Sequence, residues 1–153
     1  MNNYERLLDE ACAENLIVKE KPLKYNNGRI KGNRIAIRQD IETSAEKACV
    51  MAEELGHHHT SVGNILDMSI PGNRKQERQA RIWGYNRLIG LAKLAEAYEH
   101  GCRSYHDTAE YLEVTPEYLA ECVECYRDKY GDSVTVGDYI IMFIPYLAVF
   151  RRI

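Results

Sequence analysis

Apolar positions recur at helical spacing over most of the chain and at alternating spacing near both ends. Leu7, Leu8, Ala11 and Cys12 share one face of residues 3–15, which predicts a first amphipathic helix. Short apolar runs follow, at Leu16-Ile17-Val18, at Ile30 and at Ile35-Ala36-Ile37, punctuated by Asn27-Gly28 and Gly32-Asn33. Both dipeptides favour the positive φ angles of tight hairpins, so three short strands in a small antiparallel sheet are expected, with Ile35 and Ile37 on one face. Thr43-Ser44-Ala45-Glu46 is a capping box that opens a helix from Ala45 to about His59. Ala45, Ala48, Ala52, Leu55 and His59 lie along one stripe of it, and Val50, Glu53, Glu54 and His57 lie opposite. The run Ala48–Ala52 is apolar all round, which predicts a central helix packed on more than one side.

Residues Thr60–Asn73 hold Gly63, Pro71 and Gly72 and read as a loop with an apolar patch at Ile65, Leu66 and Met68. A second long helix is expected from about Arg74 to Tyr98, with Ala80, Trp83, Leu88, Leu91 and Ala95 on its stripe. A short helix from His106 and a longer one from Pro116 to Tyr130, capped by Thr115 and stopped at Gly131, resemble a helix-turn-helix pair. Asp138–Phe150 reads as one or two buried strands broken at Pro145. The expected architecture is α+β: a small three-stranded antiparallel sheet packed on a central helix, then a helix-turn-helix-like pair and terminal strands. Residues 1–153 are expected to form a single domain, 1–100 its core and 101–153 the helical pair with the strands.

Composition narrows the functional classes. The 153 residues suffice for one hydrophobic core, and a net charge of −3 gives no general reason to expect a nucleic-acid partner. The second helix of the helix-turn-helix-like pair carries Glu117, Glu121 and Glu124, the wrong charge for a phosphate backbone. Lys19, Lys21, Lys24, Arg29, Lys31, Arg34 and Arg38 make the sheet region basic, which reads first as a solvated face. Five scattered Cys suggest a reducing compartment. Cys122 and Cys125 form a lone Cys-x-x-Cys pair, read as two small core residues. The first residues lack the basic and apolar regions of a signal peptide, and Tyr139–Phe150 is too short to span a membrane, so a cytoplasmic location is expected.

The chemistry concentrates in Glu53-Glu54-Leu55-Gly56-His57-His58-His59. On a helix Glu53 and His57 share a face one turn apart, the layout of the His-Glu-x-x-His metalloprotease motif with Glu in place of the first His. A central helix bearing carboxylates must compensate them, and a metal ion would do so. Glu77 lies on the apolar stripe of the next helix, surrounded in sequence by Arg74, Lys75, Arg78 and Arg81. A catalytic zinc site takes three protein ligands, and Glu53, His57 and Glu77 are the candidate set. Glu54 would then be the general base on a water whose pKa the metal lowers to about 7. Two carboxylates also suit a harder cation, so Mn2+ stands beside Zn2+. In a rival register Glu54 and His58 are the ligands, but Leu55 then occupies the base position. His58 and His59 are read as flanking, capping or surface groups, and His100 and His106 as solvated.

Taken together, Val50–Thr60, the Gln76–Trp83 segment, the Gly32–Ile37 strand and the Thr108–Gly131 helical pair resemble the ImmA/IrrE family of metallopeptidases. The resemblance implies a gluzincin-like fold, His57 and Glu77 as metal ligands and Glu54 as the catalytic acid/base, with Glu53 at the family's first-His position. It also implies a site-specific endopeptidase that cleaves a helix-turn-helix repressor to derepress a prophage or mobile element. The small sheet would receive the substrate as an added strand, without direct nucleic-acid or membrane contact. The alternatives are an inactive regulator that binds the same repressor and, third, a DNA-binding helix-turn-helix protein.

Overall fold

A computed structural model describes residues 1–60 and 71–153 of the chain, with side chains for 1–60 and 74–153. Helix α1 (Asn3–Ala13) is closed by a reciprocal cap. The Glu5 N–H donates to Asn2 Oδ1 at 2.9 Å, and the Asn2 N–H donates to Glu5 Oε1 at 3.0 Å. Tyr4, Leu7 and Ala11 are buried, and the helix packs on α2 (Ser44–Thr60). Thr43 caps α2 as its sequence pattern predicts, accepting from the Glu46 N–H at 3.1 Å. Ala48, Met51, Ala52 and Leu55 are wholly buried, so α2 is the central helix of its unit. Two compact units make up the chain, Met1–Gly84 and Tyr85–Ile153.

The first unit carries β1 (Ile17–Lys21), β2 (Gly28–Lys31) and β3 (Arg34–Arg38) in the order β1-β3-β2. The sheet is mixed rather than antiparallel: β2 pairs antiparallel with β3, but β1 pairs parallel with it. The cause lies in the two glycines. Gly32, at φ 60°, makes the tight turn between β2 and β3 that its sequence predicts. Gly28 makes no turn. It is the first residue of β2, and residues 22–27 carry the chain across β3 from one edge to the other. Ile35 and Ile37 face inward, and α2 packs against β2 and β3 on that side.

Helix α3 (Pro71–Leu88) begins three residues before the expected start, and residues 61–70 of the expected loop lie outside the described residues. The helix expected to run to Tyr98 is two helices. Ile89 (φ −116°, ψ −82°) leaves helical geometry and Gly90 takes φ 69°, opening α4 (Gly90–His100). A Cβ on Gly90 would meet no atom within 4 Å, so only backbone conformation resists a side chain there. Gly90→Ala should therefore cost about 1–2 kcal/mol, read as a lowered urea midpoint at unchanged slope.

The second unit continues through α5 (Tyr105–Leu112) and α6 (Pro116–Tyr130), which pack on each other. Thr115 caps α6, accepting from the Tyr118 N–H at 3.1 Å, with Pro116 in the first turn. Leu94, Leu119, Cys122, Tyr126 and Ile141 fill its core, and the Tyr126 hydroxyl donates to Asn86 Oδ1 at 2.7 Å. Cys122 and Cys125 form no disulfide among the described residues; Cys122 is buried in the core and Cys125 is half-buried. The chain ends in an antiparallel meander, β4 (Ser133–Val136), β5 (Tyr139–Met142) and β6 (Ala148–Arg151). These strands are less buried than expected. Ile141 is fully enclosed but Phe150 is 52 % exposed; α4 packs on all three strands and α6 on β4. Among the described residues no helix is long and apolar enough to cross a membrane.

Candidate metal centre

Two glycines set the distances at the site. Gly56 lies in the last turns of α2, and a Cβ built on it would sit 2.2 Å from the backbone oxygen of Ala80 in α3. Only a residue without a side chain lets the two helices approach so closely. Ala80 is three residues after Glu77, and Gly56 precedes His57, so this contact brings those two side chains together. At the other side of α2, a Cβ on Gly28 would sit 2.6 Å from Val50 Cγ1 and 3.1 Å from Glu54 Cγ. The start of β2 therefore lies directly on the Glu54 side chain.

Glu53, His57 and Glu77 each present a ligand atom, and these atoms all lie within 4.8 Å of one another. His57 Nε2 is 3.3 Å from Glu77 Oε2. Bonds of about 2.0–2.1 Å to a tetrahedral zinc imply ligand separations of about 3.4 Å, so this edge already has the length a bound ion requires. Two carboxylate oxygens and one imidazole nitrogen form a donor set that fits Zn2+ or Mn2+. Arg81, one turn after Glu77, places its Nε 3.7 Å from Glu77 Oε1 and 3.8 Å from Glu53 Oε1.

Protonation follows from burial. His57 is 9 % exposed, and its enclosure lowers its pKa. The Glu77 carboxylate opposes that shift and Arg81 adds to it. The imidazole is thus held toward the neutral form that binds metal. Glu54 is 7 % exposed, and its pKa is pushed up to about 8, first by burial and then by the neighbouring Glu53 and Glu77 carboxylates. A buried acid tuned toward neutrality is what general acid–base chemistry requires.

The other histidines occupy separate surroundings. His58 and His59 reach Glu14 Oε2, at 3.7 and 3.1 Å, and His59 stacks on Trp83 at 4.7 Å between ring centres. Both turn to α1 and α3 instead of joining the Glu53–His57–Glu77 cluster. His100 stacks on Tyr111, and His106 is largely exposed beside Glu110. Sequence reasoning missed Gly28, Gly56 and Glu14 and named Arg81 only as one of several neighbouring cations. A glycine inside a helical pattern, one residue before a candidate ligand, was the available signal for Gly56.

A buried carboxylate beside a Glu–His–Glu cluster on two crossing helices defines the class: a candidate metallohydrolase centre. Residues 12–123, well over half of the chain, match the model of the IrrE N-terminal-like domain of peptidase family M78. The chain belongs to the ImmA/IrrE family of metallopeptidases, as the Val50–Thr60 and Gln76–Trp83 segments suggest. No curated protein and no solved structure gives a match.

Proposed function

We propose that this chain is a metal-dependent, site-specific endopeptidase that cleaves a helix-turn-helix repressor and thereby derepresses a prophage or other mobile element. The observation that carries the catalytic reading is the convergence of Glu53, His57 and Glu77, with Glu54 buried beside them. In this reading Glu53, His57 and Glu77 hold a divalent ion, Zn2+ or Mn2+. The ion supplies Lewis acidity, polarising a carbonyl and acidifying water. Glu54 takes the proton from the attacking water at its carboxylate and delivers it to the leaving amide nitrogen. The edge of β2 receives the substrate as an added strand, and main-chain hydrogen bonds supply the affinity. The repressor as substrate rests on the family likeness.

The test is incubation of the purified chain with the candidate repressor and added Zn2+ or Mn2+. One discrete cut, abolished by chelator, is expected. An intact repressor with every divalent ion tried would overturn the proposal. Arg81 favours a second reading, a regulator that binds the repressor without cutting it. Its guanidinium already lies beside both Glu53 and Glu77, where it offsets their charge as a metal would. Stable binding of intact repressor by a metal-free chain is the outcome that reading requires.

A further inference from the structure

Every charged residue on the outer face of the first sheet is basic, and strand register shows why. Ile35 and Ile37 face the core, so their register partners Ile30 and Gly28 do too, and the intervening residues face out. The outward positions are Arg29 and Lys31 on β2, Arg34, Ala36 and Arg38 on β3, and Ile17, Lys19 and Lys21 on β1. No acid occurs among them. Glu20, the one acid of β1, takes the inward parity and is bound by Lys47 at 2.7 Å. Arg38 is paired with Asp40 at 2.7 Å, whereas Arg29, Lys31, Arg34, Lys19 and Lys21 form no ion pair among the described residues. A hollow of about 300 Å³ lies among them, with Ile17 and Leu23 also in its lining. This concentration of unneutralised cations stands on a chain of net charge −3. Like charges side by side on neighbouring strands are destabilising unless a partner offsets them.

The position of β2 says what the partner is. It is an edge of its sheet, and its first residue rests on Glu54. A strand added to that edge has alternate side chains on the outer face at a pitch of about 6.6–6.8 Å, the pitch of Arg29 and Lys31. Nucleic acid fits less well. None of the outward residues is aromatic, so nothing on the face stacks a base.

We propose that the outer face of this sheet selects acidic substrate segments: an extended peptide on the β2 edge sets carboxylates at alternate positions beside Arg29 and Lys31. The inference rests on the peptidase reading for its meaning, but not for its test. Labelled peptides that differ only in having Glu, Gln or Lys at alternate positions are titrated with the full-length chain in chelator, where no cleavage intrudes, and anisotropy is read.

The Glu peptide should bind about tenfold tighter than the Gln peptide at low salt, with the Lys peptide weakest. R29E/K31E should reverse that order and R29Q/K31Q should flatten it. Both residues are exposed, so neither double variant threatens the fold. Equal affinities, an order unmoved by the variants, no peptide binding, or tighter competitive binding of a short DNA duplex would each overturn the proposal. Charge-ordered binding without cleavage on adding metal would keep this inference and remove the peptidase reading. Cleavage indifferent to peptide charge would do the reverse.

Discussion

Gly56→Ala is expected to abolish metal binding and to lower the stability of the chain markedly. The methyl group would fall 2.2 Å from the Ala80 backbone oxygen, an atom that cannot swing aside as a side chain can. Alanine is the better helix former by about 1 kcal/mol, which alone would stabilise α2. Overpacking typically costs about 1–3 kcal/mol and falls at the upper end or beyond where the obstacle is fixed backbone, so the steric term wins. Relief requires α2 and α3 to separate, and that carries Glu77 away from His57. Thermal denaturation and metal titration read the two consequences. Unchanged Tm and unchanged metal affinity would mean that the helix contact does not organise the site. The control is Gly90→Ala, which strains backbone elsewhere and should leave metal binding intact.

Glu54→Gln has the second large effect, and its two parts have opposite sign. Removing a general base costs about 10²–10⁴-fold in cleavage rate. The metal should still bind, because Glu54 is not in the ligand cluster. In the metal-free chain the same change should raise Tm above neutral pH. The folded pKa of about 8 lies above the ordinary 4.5. A raised folded pKa contributes stability that is full below about pH 4.5 and is lost as pH climbs toward 8. Above that range wild type carries a buried carboxylate beside Glu53 and Glu77, and the glutamine variant does not. A metal-free Tm that falls between those pH values in wild type, but not in the variant, is the expected pattern. A variant that is less stable across the whole range would show that the carboxylate is satisfied in the folded chain. Cleavage that survives the substitution would remove Glu54 from the chemistry.

Much of this molecule is legible in the chain because local signals and burial agree. Thr43 and Thr115 cap the helices their patterns assign them, and the apolar run at Ala48–Ala52 marks α2 as central. The glycines are where sequence reading divides. Gly32 is a turn glycine and reads as one. Gly28 has the same Asn-Gly-like context but serves a close approach to Glu54, and mistaking it for a turn makes a mixed sheet look antiparallel. Gly90 sits in an unbroken apolar stripe, so only its φ reveals that two helices meet there. Strand β4 adds to the expected strands, and its signal is the alternation of Val134 and Val136 with polar residues before Gly137, which turns at φ 56°. At the site, Glu53 and His57 follow from a four-residue spacing on one helix. Their distance to Glu77 depends on how two helices cross, and no periodicity encodes that. The Arg81–Glu53 contact is equally tertiary, whereas Arg81–Glu77 is a four-residue spacing on one helix.

The central claim is that Glu53, His57 and Glu77 together hold one divalent ion. Titrating the metal-stripped chain with Co2+ while recording visible absorption tests it directly, since the d–d bands report both occupancy and coordination. The expected result is saturation at one ion per chain with the intense bands of a low-coordinate site, displacement by Zn2+, and loss of the signal in Glu77→Ala. A chain that takes up no ion, or a Glu77→Ala variant that binds as wild type does, would contradict it.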